Sequence, residues 1–261
     1  MQFLQKKQAF ICDMDGVIYH GNRLLPGAKD FVNWLQKEEK KFLFLTNSSE
    51  RSPRELSQKM ARLGIEVDET HFYTSALCTA TFLASQKPGG SAYVIGEAGL
   101  IQALYESGFS MNNVDPDYVV IGETRSYNFE KIETAVTLVH KGAKLIGTNP
   151  DMTGPTEHGV IPATGALVAP IEMATGCKAY FLGKPNPLMM RIAIKKLQCK
   201  PEETVIVGDR MDTDIIAGIE SELETVLVFS GVTRPEDLSH FGYAPSFTLN
   251  GVCDIPSAAK T

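Results

Sequence analysis

In the stretch Phe10-Ile11-Cys12-Asp13-Met14-Asp15-Gly16-Val17-Ile18, an apolar run leads into two carboxylates one residue apart, with a glycine directly behind them. Ligands of open α/β sheets bind outside the carboxyl ends of the strands, so a short buried strand ending in Asp-x-Asp-Gly delivers acids to a binding crevice. Gly16 permits the turn that follows. Two acids this close suit phosphoryl transfer. One carboxylate can attack phosphorus and the other can serve as general acid and then base, while a hard divalent cation between them screens the phosphate charge. Taken alone, the pattern is equally an Asp-rich turn at a strand end, so the remaining chain decides.

Outward from this stretch the chain alternates strands and helices. Pro26-Gly27 introduces a helix with Ala28, Phe31, Val32 and Leu35 at helical spacing, and Phe42-Leu43-Phe44-Leu45 is a continuous apolar run that stops at Thr46-Asn47-Ser48-Ser49. Ser52-Pro53-Arg54-Glu55 is a helix start with a capping box. Residues 72–74 read as a third strand, followed by a helix that Pro88-Gly89-Gly90 breaks. The alternation then begins afresh, with strands expected at 92–95, 118–121 and 144–146 and helices at 100–106, 129–139 and 166–175. Residues 179–182 read as a return to the first domain, ending at Gly183-Lys184-Pro185. Thr204-Val205-Ile206-Val207 is another buried strand and runs into Gly208-Asp209-Arg210-Met211-Asp212-Thr213-Asp214. The expected fold is α/β: a Rossmann-like parallel-sheet core made of 1–80 and 181–261, with an α/β cap domain, 81–180, inserted into it.

Composition narrows the class. With 261 residues, 43% of them apolar, the chain can bury one large core or two smaller ones. A net charge of −6 lacks the basic footprint of a nucleic-acid binder. Five scattered cysteines without a Cys-x-x-Cys pair suggest neither a disulfide framework nor a zinc site. With no signal-like leader and no apolar run of membrane length, the expectation is a cytoplasmic protein with no membrane partner.

Four apolar strands are thus expected to end in pointed chemistry: Asp13 and Asp15, Thr46 and Asn47, Lys184, and Asp209 with Asp212 and Asp214. In a parallel sheet such ends share one edge. The ordered set D-x-D-G-V at 13–17, the hydroxyl at 46, the lysine at 184 and G-D-x-x-x-T-D at 208–214 resembles the haloacid dehalogenase superfamily phosphatases. The long insertion between Thr46 and Lys184, with Leu45-Thr46-Asn47-Ser48 and Gly183-Lys184-Pro185, is similar to their NagD and p-nitrophenylphosphatase branch, which carries a large α/β cap.

The resemblance implies an Mg²⁺-dependent phosphatase acting on a small phosphorylated metabolite: a nucleoside monophosphate, a sugar phosphate or p-nitrophenyl phosphate. Asp13 would be the nucleophile, forming an aspartyl-phosphate, and Asp15 the acid and base. The Asp13 carboxylate, the Asp15 carbonyl and Asp209 would hold Mg²⁺, while Thr46, Asn47 and Lys184 would bind the substrate. Asp214 reads foremost as a support for Lys184, with metal ligation and a cap on the helix from Thr213 as the alternatives. In the cap, Asn149 and Asp151 are candidates for the leaving-group contact. Homodimers through the cap are a family habit. Arg210 is a weak candidate for phosphate, and His20 and His158 read as isolated. The rival reading is a catalytically silent phosphoryl-ligand binding or regulatory protein on the same fold.

Overall fold

A computed structural model of the protein describes residues 3–156 and 159–258. In chain order the first strands are β1 (Ala9–Cys12), the short pair β2 (Tyr19–His20) and β3 (Arg23–Leu24), β4 (Lys41–Thr46) and β5 (Phe72–Thr74). Next come β6 (Ser91–Ile95), β7 (Ser110–Met111), β8 (Tyr118–Ile121), β9 (Lys144–Gly147), β10 (Thr153–Thr156), β11 (Gly159–Pro162) and β12 (Tyr180–Phe181). Then follow β13 (Thr204–Gly208), β14 (Glu224–Val228) and β15 (Phe247–Leu249). The chain divides into two units, one of Met1–Thr46, Leu56–Tyr73 and Lys184–Thr261, the other of Asn47–Glu55 and Thr74–Gly183.

The first unit is built on a six-stranded sheet in the order β15-β14-β13-β1-β4-β5, and every pairing from β4 to β15 is parallel. All four residues of β1 are buried, as expected of a central parallel strand covered on both faces. Helix Ala28–Lys37 covers one face with Ala28, Phe31, Val32 and Leu35, the i, i+3, i+4, i+7 stripe legible in the sequence. Its Phe31 and Trp34 rings pack edge-on to Phe10 at centroid distances of 6.3 and 5.4 Å. Phe44, Val205, Val207, Val226 and Val228 complete this core.

The second unit carries a five-stranded parallel sheet in the order β12-β9-β8-β6-β7 and an antiparallel hairpin of β10 and β11. Helices Phe129–His140 and Thr164–Thr175 bury Leu138, Val139, Val168 and Ile171 against Val119 and Ile121 of β8. The Asn128 side chain caps the first of these, accepting from the Lys131 amide at 3.0 Å. The expected capping box also forms, with the Ser52 amide donating to Glu55 Oε2 at 2.8 Å ahead of helix Pro53–Arg62.

Two expectations change. Residues 180–181 do not re-enter the first sheet; they form the edge strand β12 of the second, paired with Ile146 and Gly147. An apolar run reads the same whichever parallel partner it takes, so composition could not separate the two. The second unit is also larger than 81–180, because it starts at Thr74, ends at Gly183 and takes in Asn47–Glu55. Among the described residues no helix is long and apolar enough to cross a membrane.

Phe10 joins the central strand to its covering helix and is fully buried. Phe10→Ala is expected to cost about 3–5 kcal/mol, read as a lower urea midpoint in far-UV circular dichroism. A change under about 1 kcal/mol, well below the large-to-small range, would show that this packing is not the core of the unit.

Candidate active site

The register of the first sheet brings three distant segments together. Cys12 of β1 pairs with Val207 of β13 on one side and with Phe44 of β4 on the other. Asp13 follows β1 directly and donates its amide to the Val207 carbonyl at 2.9 Å. Thr46 ends β4, and Asp209 follows β13. Asp13, Thr46 and Asp209 therefore stand side by side at the carboxyl edge, where a parallel sheet presents its ligand site.

Lys184 enters this row from the segment that returns to the first unit, and it is 2% exposed. Its Nζ donates to Asp13 Oδ1 at 2.7 Å, Asp214 Oδ1 at 2.6 Å and the Leu45 carbonyl at 3.3 Å. Burial works against the ammonium, but Asp13 and Asp214 outweigh it and hold Lys184 above the ordinary lysine range. Burial raises the Asp214 carboxyl, and Lys184 opposes that shift. The other Asp214 oxygen accepts from the Arg210 amide at 3.1 Å. Both Asp214 oxygens thus have protein partners, which suits a support for Lys184.

Asp209 is arranged differently. Its Oδ2 accepts from the Val232 amide at 2.7 Å, and its carbonyl accepts from the Thr233 amide at 3.1 Å. Gly231 and Gly16 crowd the same carboxylate: a Cβ at Gly231 would lie 1.9 Å from Oδ2, and one at Gly16 2.4 Å from it. The Ser230 hydroxyl donates to the Gly16 carbonyl at 2.7 Å, tying the loop after β14 to the turn after β1. Oδ1 of Asp209 is buried and has no hydrogen-bond partner among the described residues. Burial, with Asp13 and Asp214 nearby, drives this carboxyl well above the usual range. Oxygens of Asp13, Asp209 and Asp214 lie within 4.8 Å of one another. Three carboxylates facing one ammonium leave a surplus of two negative charges when all are ionised. An oxygen-only donor set with that surplus and an orphaned carboxylate oxygen fits a hard divalent cation.

Asp15 lies at the turn beyond β1, its side chain 38% exposed. His20 Nδ1 is 3.3 Å from Asp15 Oδ1. Burial pushes the Asp15 carboxyl up, and His20 and Lys59 pull it back. His20 is therefore not isolated; the signal was its place five residues on, across a turn that folds the chain back. His158 lies outside the described residues. Arg210 makes a two-pronged contact with Asp212 at 3.0 and 2.8 Å.

In the second unit, Asn47, Asn149 and Asp151 come together. Asn47 Nδ2 donates to Asp151 Oδ2 at 2.9 Å. Asn149 is fully buried; its Nδ2 donates to the Asn47 carbonyl at 2.8 Å and to Glu123 Oε1 at 2.7 Å, and its Oδ1 accepts from the Asp151 amide at 3.1 Å. With no exposed surface and an engaged amide, Asn149 braces three segments and does not face a leaving group. Glu123, absent from the sequence-based candidates, also accepts from the Ser49 amide at 2.8 Å and from its hydroxyl. Burial raises this carboxyl despite those bonds. A charged residue two positions beyond the apolar strand β8 was the available signal.

Comparison with known proteins accords with this geometry. A family model described as haloacid dehalogenase-like hydrolase matches residues 10–110, and a second model of HAD-like hydrolases matches residues 181–255. The chain is 43% identical to a dihydroxyacetone phosphatase of Corynebacterium glutamicum, over 95% of this chain and 90% of that one. It is 44% identical to the ribonucleotide monophosphatase NagD of Escherichia coli, over 94% and 96%. The structure of a 4-nitrophenylphosphatase from Thermotoga maritima matches with a TM-score of 0.94 at 31% identity, over 98% of this chain and 99% of that one. The chain belongs to the haloacid dehalogenase-like hydrolases, on their NagD and p-nitrophenylphosphatase branch.

Proposed function

We propose that this chain hydrolyses small phosphate monoesters through an aspartyl-phosphate on Asp13, with Mg²⁺ as its cation and Asp15 as acid and base. The observation that carries the reading is the pairing of Asp13 with Lys184 at 2.7 Å beside the orphaned Oδ1 of Asp209. An enzyme of this kind needs a nucleophile held among positive groups that receive the phosphoryl oxygens. The named relatives are a dihydroxyacetone phosphatase, a ribonucleotide monophosphatase, acid sugar phosphatases and 4-nitrophenylphosphatases, which weighs against a silent binding protein.

In the first half-reaction a carboxylate oxygen of Asp13 forms a bond to phosphorus as the ester P–O bond breaks, and Asp15 gives its proton to the departing alkoxide. In the second, Asp15 takes a proton from water as that oxygen attacks phosphorus, and the acyl-phosphate P–O bond breaks to free Asp13. Lys184 and the Thr46 hydroxyl hold phosphoryl oxygens throughout, and Asn47 follows directly beyond the end of β4. Asp13, the Asp15 carbonyl and Asp209 would hold the cation. Its contribution is to neutralise charge on the nucleophile and the phosphoryl group. The unit of 47–55 and 74–183 serves as the cap that sets selectivity, and Asp151, half-buried, is its residue for substrate contact.

Asp13→Asn is expected to lower phosphate release from a panel of monophosphate esters by about four orders of magnitude or more, and EDTA to stop the wild-type enzyme until Mg²⁺ is restored. Turnover that survives Asp13→Asn would sink this assignment. Gly231→Ala must displace the Asp209 carboxylate, so the Mg²⁺ dissociation constant, measured by calorimetry, is expected to rise about 10–100-fold. An unchanged affinity would remove Asp209 from the ligand set.

A further inference from the structure

We propose that His20 is a positioning residue for the acid step, holding one oxygen of Asp15 so that the other faces the leaving group. The proposal rests on the reading of Asp15 as proton donor given above. The backbone at Asp15 is already fixed: the Gly16 amide donates to the Tyr19 carbonyl at 2.8 Å, and the amides of Ile18 and Tyr19 donate to the Met14 carbonyl at 2.9 and 3.2 Å. The side chain is another matter. At 38% exposure it is met by the Gly21 backbone amide and, among the described residues, by the His20 ring, Nδ1 to Oδ1 at 3.3 Å, and of these two only His20 can be removed by substitution without touching the main chain. An ionised carboxylate only accepts, so the imidazole donates from Nδ1 in that state.

His20 is itself held by a rigid support. It ends β2, which pairs with β3 through Tyr19 with Leu24 and His20 with Arg23 across a two-residue turn. Successive strand residues face opposite ways. Tyr19 is 5% exposed and anchors the hairpin inward, with the Lys59 ammonium 3.5 Å from its ring centroid. His20, half-exposed, is left on the side of Asp15. Losing its ring therefore removes little packing, and what it supplies is the orientation of one carboxylate.

Orientation of a general acid matters in proportion to how much the leaving group needs its proton. A primary alkoxide is strongly basic and leaves poorly without one, whereas p-nitrophenolate is weakly basic and leaves unaided. The experiment compares kcat/KM, which covers the chemistry up to formation of the phosphoenzyme, on 5′-ribonucleoside monophosphates and on p-nitrophenyl phosphate. It uses wild type, His20→Ala, His20→Gln and Asp15→Asn, each first shown by thermal melting to be folded. His20→Ala is expected to lose about ten-fold on the ribonucleotides, a part of the roughly 10²–10⁴-fold that a general acid contributes, and under about two-fold on p-nitrophenyl phosphate. His20→Gln, which keeps an N–H donor, should recover most of that loss. Asp15→Asn should show the same selectivity with a larger loss. Equal loss on both substrates with His20→Ala, or loss on neither, while Asp15→Asn stays selective, would overturn the role of His20 and leave that of Asp15 standing. An unselective Asp15→Asn would overturn the acid reading and this proposal with it.

Discussion

An ammonium taken out of water is costly unless carboxylates meet it with good geometry. Lys184 can be nearly fully buried because Asp13 and Asp214 flank it at 2.7 and 2.6 Å. Much else at the site follows from that clamp. It holds the Asp13 carboxylate through one oxygen, it occupies one oxygen of Asp214, and it leaves Asp209 as the acid with an unpartnered oxygen. Removing Lys184 would leave two neighbouring carboxylates facing each other and Asp209, with the like-charge repulsion that the ammonium now relieves. A cation held by Asp13 and Asp209 would perform the same service, so the proposed nucleophile would be neutralised twice, once by a lysine and once by metal.

The parallel sheet makes that arrangement possible. β13, β1 and β4 are adjacent and in register, so the residues just past Val207, Cys12 and Phe44 fall in one row although they are far apart in sequence. Much of this was legible from the chain alone. Continuous apolar runs at 42–45 and 205–207 marked strands buried on both faces, and a polar group beyond the end of each marked the edge. Asp13, Thr46 and Asp209 could be aligned because the sheet's direction is a property of the α/β alternation, which is written in the sequence.

What was not legible depends on partners distant in sequence and indistinct in composition. The run 180–181 is apolar in either sheet; only its pairing with Ile146 and Gly147 assigns it to the second. Asn149 carried the right chemistry for a ligand contact, yet its amide is bound to Asn47 and Glu123, and neither partner can be predicted from an Asn-Pro-Asp turn. The loop Ser230–Thr233 gave no chemical signal for its hold on Asp209, which is made by backbone amides and by the lack of a side chain at Gly231. Backbone donors and missing atoms are invisible to a search for functional side chains.

The two acids of the Asp-x-Asp pair share a strand end but not an environment. The Asp13 side chain is 13% exposed and rests on an ammonium that is itself almost wholly buried. Asp15 is 38% exposed, and its carboxyl is raised by partial burial while His20 restrains that rise. A nucleophile must stay ionised and still; an acid must hold a proton and give it up. Surroundings that differ in this way suit the two side chains to the different tasks proposed for them. The proposed division of labour rests on what each side chain touches, Lys184 in one case and His20 in the other, rather than on the motif that brings them together.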